Sequence, residues 1–152
     1  MMAELKKYAA LLTVLFFAGL LTFANATLLR HSENIVKDDK SNFLWQDSTD
    51  VKTKKVNYKE AIAYCKNLTL DGQTGWEVPG FGEMFTIVNF KRYNPTLSKT
   101  FKNYLPDNYW TTKIFSHGIS NEAFVVYFLS GAFNREKMDK KFFVRCYKNL
   151  KK

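Results

Sequence analysis

The sequence predicts one α+β domain behind a removable leader, and three observations carry that prediction. Short strand-like runs open and close the chain, two helix-patterned stretches lie together between them, and the first 26 residues have the layout of a secretory signal. Helices segregated from an antiparallel sheet define the α+β class. The predicted layout is residues 1–26 as signal peptide, 27–34 as a flexible lead-in, and 35–150 as the folded domain.

Lys6 and Lys7 give the leader a basic start, and Ala9 to Ala24 follows as an uncharged apolar run. The run ends in Ala24-Asn25-Ala26, with small residues where a signal peptidase reads, so the cut is placed after Ala26. At 16 residues the run is short of the ~20 needed to cross a bilayer. Cleavage is therefore favoured over an uncleaved anchor, and no membrane span is expected afterwards. The 126 residues left suffice for one core and are too few for two. The leader takes Lys6, Lys7 and Glu4 with it, lowering the formal charge from +9 to +8, an excess that attracts acidic partners.

Within the domain, Ile35-Val36 and Phe43-Leu44-Trp45 flank the polar hexapeptide KDDKSN and predict a hairpin. The charged stretch DSTDVKTKK reads as a connection. In NYKEAIAYCKNL, residues Tyr58, Ala61, Ile62, Cys65 and Leu68 fall at helical spacing, with Asn57 and Glu60 able to form a capping box. The phase points Cys65 inward. From Gly82, residues Met84, Phe85, Ile87 and Val88 predict a second helix, which must end before Asn94-Pro95 because a residue preceding proline avoids helical geometry. Residues 94 to 108 read as a long loop. YWTTKIF, EAFVVYFL and FFVRCYK then predict three strands, with Ser130-Gly131 and the charged REKMDKK as turns.

Two cysteines in an exported chain read most simply as one disulfide. Cys65 and Cys146 stand 81 residues apart, and closing that loop stabilises by about 4 kcal/mol in the chain-entropy account. Zinc needs about four ligands, and these cysteines with His31 and His117 make a poor set.

Six stretches in order, FLWQD, YKEAIAYCKNL, GWEVPGFGEM, YWTT, AFVVYFLSG and FVRCYK, resemble the Lcl C-terminal domain, a bacterial export-associated module. The resemblance covers about residues 35–148. Both cysteines, Trp45, Trp76, Pro79, Glu83 and Trp110 agree with its pattern, while Glu77 stands for the usual arginine, Val78 for leucine, Gly80 for threonine and Phe124 for tryptophan. It implies a C-type-lectin-like fold of two helices and a small antiparallel sheet, a Cys65–Cys146 bridge from first helix to last strand, and the possibility of a homo-oligomer. In GWEVPG, Pro79 keeps Val78 extended, Gly80 can cap the next helix, and Trp76 anchors the corner. Trp45, Trp76, Pro79 and Trp110 are accordingly predicted to be structural.

Enzymatic signals are weak. His117 lies near Ser116 and Glu122 in sequence, which is no evidence for a triad; His31 sits in the lead-in. Calcium lectins carry Glu-Pro-Asn or Gln-Pro-Asp, whereas here Trp110 is followed by Thr111-Thr112 and Asp38, Asp39 and Asp107 read as turn formers. No catalytic residue, cofactor or metal is predicted. What remains is the basic surface. Lys52, Lys54, Lys55 and Lys59 cluster around the first helix, Lys91 and Arg92 follow the second, and Arg135, Lys137, Lys140 and Lys141 crowd the end of the chain. The predicted ligand set is Lys54, Lys55, Lys59, Arg135, Lys137, Lys140 and Lys141. Such charges suit sulfated or carboxylated polysaccharide, and export argues against nucleic acid. The expected function is an exported, non-enzymatic module at the periplasm or cell surface that binds acidic glycan or tethers in adhesion. The alternative is an envelope structural or assembly factor recognising a protein partner through aromatic loops.

Overall fold

The structure, a computed structural model, describes residues 28–116 and 121–151. The signal peptide expected over 1–26 and His117 lie outside the described residues. The described chain builds two sheets. The first is antiparallel, in the order β1-β2-β3-β9, from β1 (Leu28–Arg30), β2 (Ile35–Asp38), β3 (Phe43–Gln46) and β9 (Tyr147–Asn149). The second is ordered β4-β8-β5-β6-β7, from β4 (Lys55–Val56), β5 (Asn108–Phe115), β6 (Glu122–Tyr127), β7 (Ala132–Lys137) and β8 (Phe142–Phe143). This sheet is mixed, because β8 pairs antiparallel to β4 but parallel to β5.

The predicted hairpin forms as β2 and β3, with Val36 opposite Trp45. Its turn is held by Asp38, whose carboxylate accepts from the Lys40 amide at 3.0 Å and the Ser41 hydroxyl at 2.7 Å. Residues 27–34 are not wholly a loose lead-in, since Leu28–Arg30 pairs with β2. Leu28 packs on the core and Arg30 bonds to Asp47; a three-residue strand is too short to show alternation in sequence.

Three helices are present among the described residues, where two were expected. The added one, α1 (Asp50–Thr53), is a single turn inside the charged connection and buries only Val51. Helix α2 (Tyr58–Asn67) has the predicted capping box: Asn57 Oδ1 accepts from the Glu60 amide and Glu60 Oε2 from the Asn57 amide, each at 2.9 Å. Ala61 and Cys65 face inward, but Ile62 is 38% exposed, so the buried stripe is narrower than its spacing suggested. Helix α3 (Phe81–Ile87) starts from Gly80 and buries Met84 and Ile87.

The end of the chain departs most from expectation. REKMDKK is not all turn, because Arg135–Lys137 completes β7, an edge strand with polar residues on both faces and hence no hydrophobic alternation. FFVRCYK is not one strand: β8 lies in the second sheet and β9 in the first, with Val144-Arg145-Cys146 crossing between them. That crossing brings Cys146 to α2. Cys65 and Cys146 are bonded, with Cα atoms 5.5 Å apart and both residues fully buried.

Beside the bridge lies a buried polar node. Arg145 and Asp47 are both inaccessible. Arg145 Nη1 donates to the Gln46 carbonyl at 2.6 Å and to Asp47 Oδ1 at 3.2 Å, Nη2 donates to the Asn103 carbonyl at 2.6 Å, and the guanidinium lies 4.5 Å from the Phe101 ring centre. Burial lowers the Arg145 pKa from its ordinary value, an effect opposed by Tyr109 and Asp47. Asp47 also accepts from Arg30, from the Lys102 amide at 2.9 Å and from the Asn103 amide at 3.0 Å. Gln46 completes the node by accepting from the Cys146 amide at 3.1 Å. One carboxylate thus ties β1, β3, the 101–103 loop and the final crossing together.

Candidate functional site

The pairing of β4 with β8 sets Lys55 opposite Phe143 and Val56 opposite Phe142. In that register Lys141 falls level with Asn57, two positions from Lys55, and it lines the same groove as Lys54 and Lys55, which are distant from it in sequence. Helix α2 supplies the other wall through Ala63, Tyr64 and Asn67, on the helix side away from Ala61 and Cys65. The result is an open groove of about 610 Å³.

Local contacts hold its lysines in place. Lys54 Nζ lies 3.6 Å from Asp50 and 4.6 Å from the Tyr64 ring centre; Lys55 Nζ lies 2.8 Å from Asp107 and 4.7 Å from the Phe143 ring centre. Both side chains stay nearly half exposed, so these pairs are screened and orient the stems more than they neutralise them. Lys141 is exposed and meets no carboxylate among the described residues. Tyr64 accepts from Gln46 Nε2 at 2.7 Å and donates to Asp50 Oδ2 at 2.9 Å. Burial, reinforced by Asp50, raises its pKa well above that of an ordinary phenol, so it stays a neutral hydroxyl at physiological pH. Glu60 also borders the groove, but its carboxylate is engaged with the Asn57 amide. A cationic groove with an aromatic wall can hold an anion.

Of the seven predicted ligand residues, Lys54, Lys55 and Lys141 line this groove. Lys59 is exposed on α2 outside the lining, and Lys137 ends β7. Lys140 bonds Glu136 at 2.6 Å, which raises its pKa. Arg135 is on β7, at the opposite edge of the second sheet from β4, with its guanidinium 4.1 Å from the Phe115 ring centre and 3.9 Å from Glu122. The set is divided between two edges rather than forming one patch. Tyr64 and Asn67 were missed as wall residues; their only signal was the phase they share with Glu60 on α2.

Trp45, Trp76 and Trp110 are 0–1% exposed and Pro79 is buried. Trp76 Nε1 donates to the Gln73 carbonyl at 2.9 Å and Trp110 Nε1 to the Val56 carbonyl at 2.8 Å. The GWEVPG corner is strapped to the sheets: Glu77 and Tyr147 exchange backbone bonds of 2.8 and 2.9 Å, and the Thr112 amide donates to Pro79 at 2.8 Å. Gly80 enters α3 with an extended backbone and no side-chain cap bond. A second groove of about 460 Å³ runs along the corner between Ile62, Lys66 and Glu77. Among the described residues no three His, Cys, Asp or Glu side chains gather as a metal-binding group, and no helix is long and apolar enough to cross a membrane.

No curated protein matches the chain. The pattern of the Lcl C-terminal domain does match, over residues 34–148, a span that runs from just before β2 into β9 and contains the groove, the corner, the polar node and both cysteines. The chain belongs to the Lcl C-terminal domain family.

Proposed function

We propose that this chain is an exported, non-enzymatic binding domain that holds an acidic or sulfated polysaccharide in the β4–β8 groove, at the periplasm or cell surface. The observation that carries the reading is the convergence of Lys54, Lys55 and Lys141 on one open groove walled by Tyr64. An extended polyanion needs spaced positive charges rather than a closed pocket, and lysines meet it as point charges whose contribution falls with salt. The buried disulfide supports an oxidising compartment. Termini that share one sheet, bridged to a helix, support reading the domain as C-type-lectin-like.

The test is retention on a heparin column at low salt. The unsubstituted chain should be retained and elute at moderate salt, whereas Lys54→Glu/Lys55→Glu/Lys141→Glu should elute near the void. Unchanged retention of that variant, with loss on Lys137→Glu/Lys140→Glu instead, moves the site off the groove. Absence of retention at low salt removes the reading.

A further inference from the structure

The face of β6 and β7 that α3 packs on carries a run of phenylalanines that the groove does not use. Cross-strand pairing sets Phe124 opposite Arg135 and Val126 opposite Phe133, so Phe124, Phe133 and Arg135 share a face. Helix α3 lays Phe81 and Phe85 over it: Phe81 is 5.1 Å from Phe124 and 5.3 Å from Phe133 between ring centres, and Phe85 is 6.4 Å from Phe133. Phe90, from the loop after α3, stacks on Phe85 at 6.2 Å. Phe115 closes the other end against Phe124 at 6.5 Å and carries the Arg135 guanidinium. Gly131 makes room for this arrangement. Its φ is +78°, and a Cβ there would come within 2.9 Å of Phe90 Cε1.

The outer members of this run are in water. Phe90 is 70% exposed and Phe133 54%, and Tyr93, three residues beyond Phe90, is 71% exposed. Between Phe90 and Tyr93 stand Lys91 and Arg92, which pair with no carboxylate among the described residues. Contiguous exposed apolar surface marks an interaction site, and the question is what covers it.

We infer that this face docks peripherally on an anionic lipid surface, with Phe90, Tyr93 and Phe133 entering the boundary between headgroups and acyl chains and Lys91 and Arg92 meeting lipid phosphates. One feature favours lipid over a protein partner. The loop after α3 places exposed Lys91 and half-buried Arg92 between two exposed aromatic side chains, the pairing that serves interfacial anchoring, where rings sit at headgroup depth and cations on anionic lipid. Arg135 adds charge at the far end, reduced by Glu122 at 3.9 Å. The proposal is independent of the lysine groove, which lies at the other edge of the sheet.

Flotation tests it, using the processed chain, its N-terminus verified by mass and its disulfide intact, with vesicles of phosphatidylcholine containing about one-third phosphatidylglycerol, and with phosphatidylcholine alone. The chain should float with the anionic vesicles and lose part of that binding at high salt. Phe90→Ser/Tyr93→Ser should lower partitioning by about tenfold or more with an unchanged melting temperature, since both side chains are exposed; Lys91→Glu/Arg92→Glu should lower it on anionic vesicles, and Lys54→Glu/Lys141→Glu should not. Failure of the unsubstituted chain to float, or flotation indifferent to both loop variants, overturns the inference. So does self-association in sedimentation that Phe90→Ser/Tyr93→Ser abolishes while vesicles bind neither form, because the face then meets a second copy.

Discussion

Asp47→Asn should be the more damaging way to break the Asp47–Arg145 pair, and the hydrogen bonds say why. The substitution removes the charge with little change of volume and leaves Arg145, fully buried, without its counter-ion. Breaking a buried pair from one side costs about 3–5 kcal/mol. Arg145→Met leaves Asp47 better served, because Arg30 and the Lys102 and Asn103 amides still donate to it. The loss is then mainly the donor to the buried Gln46 carbonyl, about 1–3 kcal/mol, because the Asn103 carbonyl is only part-buried. In the double variant the stranded charge no longer exists, so it should be no less stable than Asp47→Asn alone, a coupling of about 2 kcal/mol. Urea unfolding followed by the fluorescence of the buried tryptophans gives all three values, with a midpoint loss on the order of 2 M for Asp47→Asn. Additive single-variant losses, or Arg145→Met as costly as Asp47→Asn, would refute this account of the node.

Replacing both cysteines by serine should lower unfolding free energy by about 4 kcal/mol, because the closed loop holds 81 residues of separation; a loss under about 1 kcal/mol would show that the unfolded chain is not held by that bridge. Since neither cysteine is exposed, native thiol labelling after mild reductant should lag behind unfolding, and rapid reduction in the folded state would contradict the burial. At alkaline pH stability should decline. Burial, reinforced by Glu83 and Glu77, pushes Tyr147 up to about 12 from an ordinary 10.0, so between those values the unfolded phenol releases a proton that the folded one retains. The Tyr147 contribution is complete below about pH 10 and lost as pH rises through about 12; stability measured against pH should slope less steeply in Tyr147→Phe, and an identical slope would remove Tyr147 as a cause.

What could be read from the sequence was local. The hairpin at Ile35 to Gln46, the Asn57–Glu60 box and the Trp76–Gly80 corner each depend on residues a few positions apart, where side-chain period and backbone preference act directly. Strand β7 was hidden because an edge strand faces water on much of its surface and is written in charges. Strand β1 and helix α1 were hidden by brevity. The seven predicted cations separate for a different reason. Neighbours in sequence at Arg135 to Lys141 part company on folding, while Lys141 joins Lys54 and Lys55 only through the β4–β8 ladder. Likewise, nothing near Arg145 in sequence announces that its partner is Asp47, 98 residues away.

The same sheet that divides those cations explains how one small domain can carry two surfaces. Strand β4 and strand β7 are its opposite edges, separated by four inter-strand spacings, roughly 19 Å. At the β4 edge Lys54 and Lys55 are steadied by Asp50 and Asp107, so an anion there competes with exposed, salt-screened pairs and can leave. At the β7 edge the apolar rings are packed on one another while Phe90 and Phe133 remain in water, so covering them removes apolar area and charge is secondary. Salt should therefore weaken attachment at the first edge far more steeply than at the second. Sites this far apart with no shared side chain couple weakly, which allows a polyanion at one edge and a bilayer at the other to be held at once. Were both proposed attachments made to one surface, each would raise the local concentration of the other, and a chain tethered by both would be retained under conditions that release either contact alone.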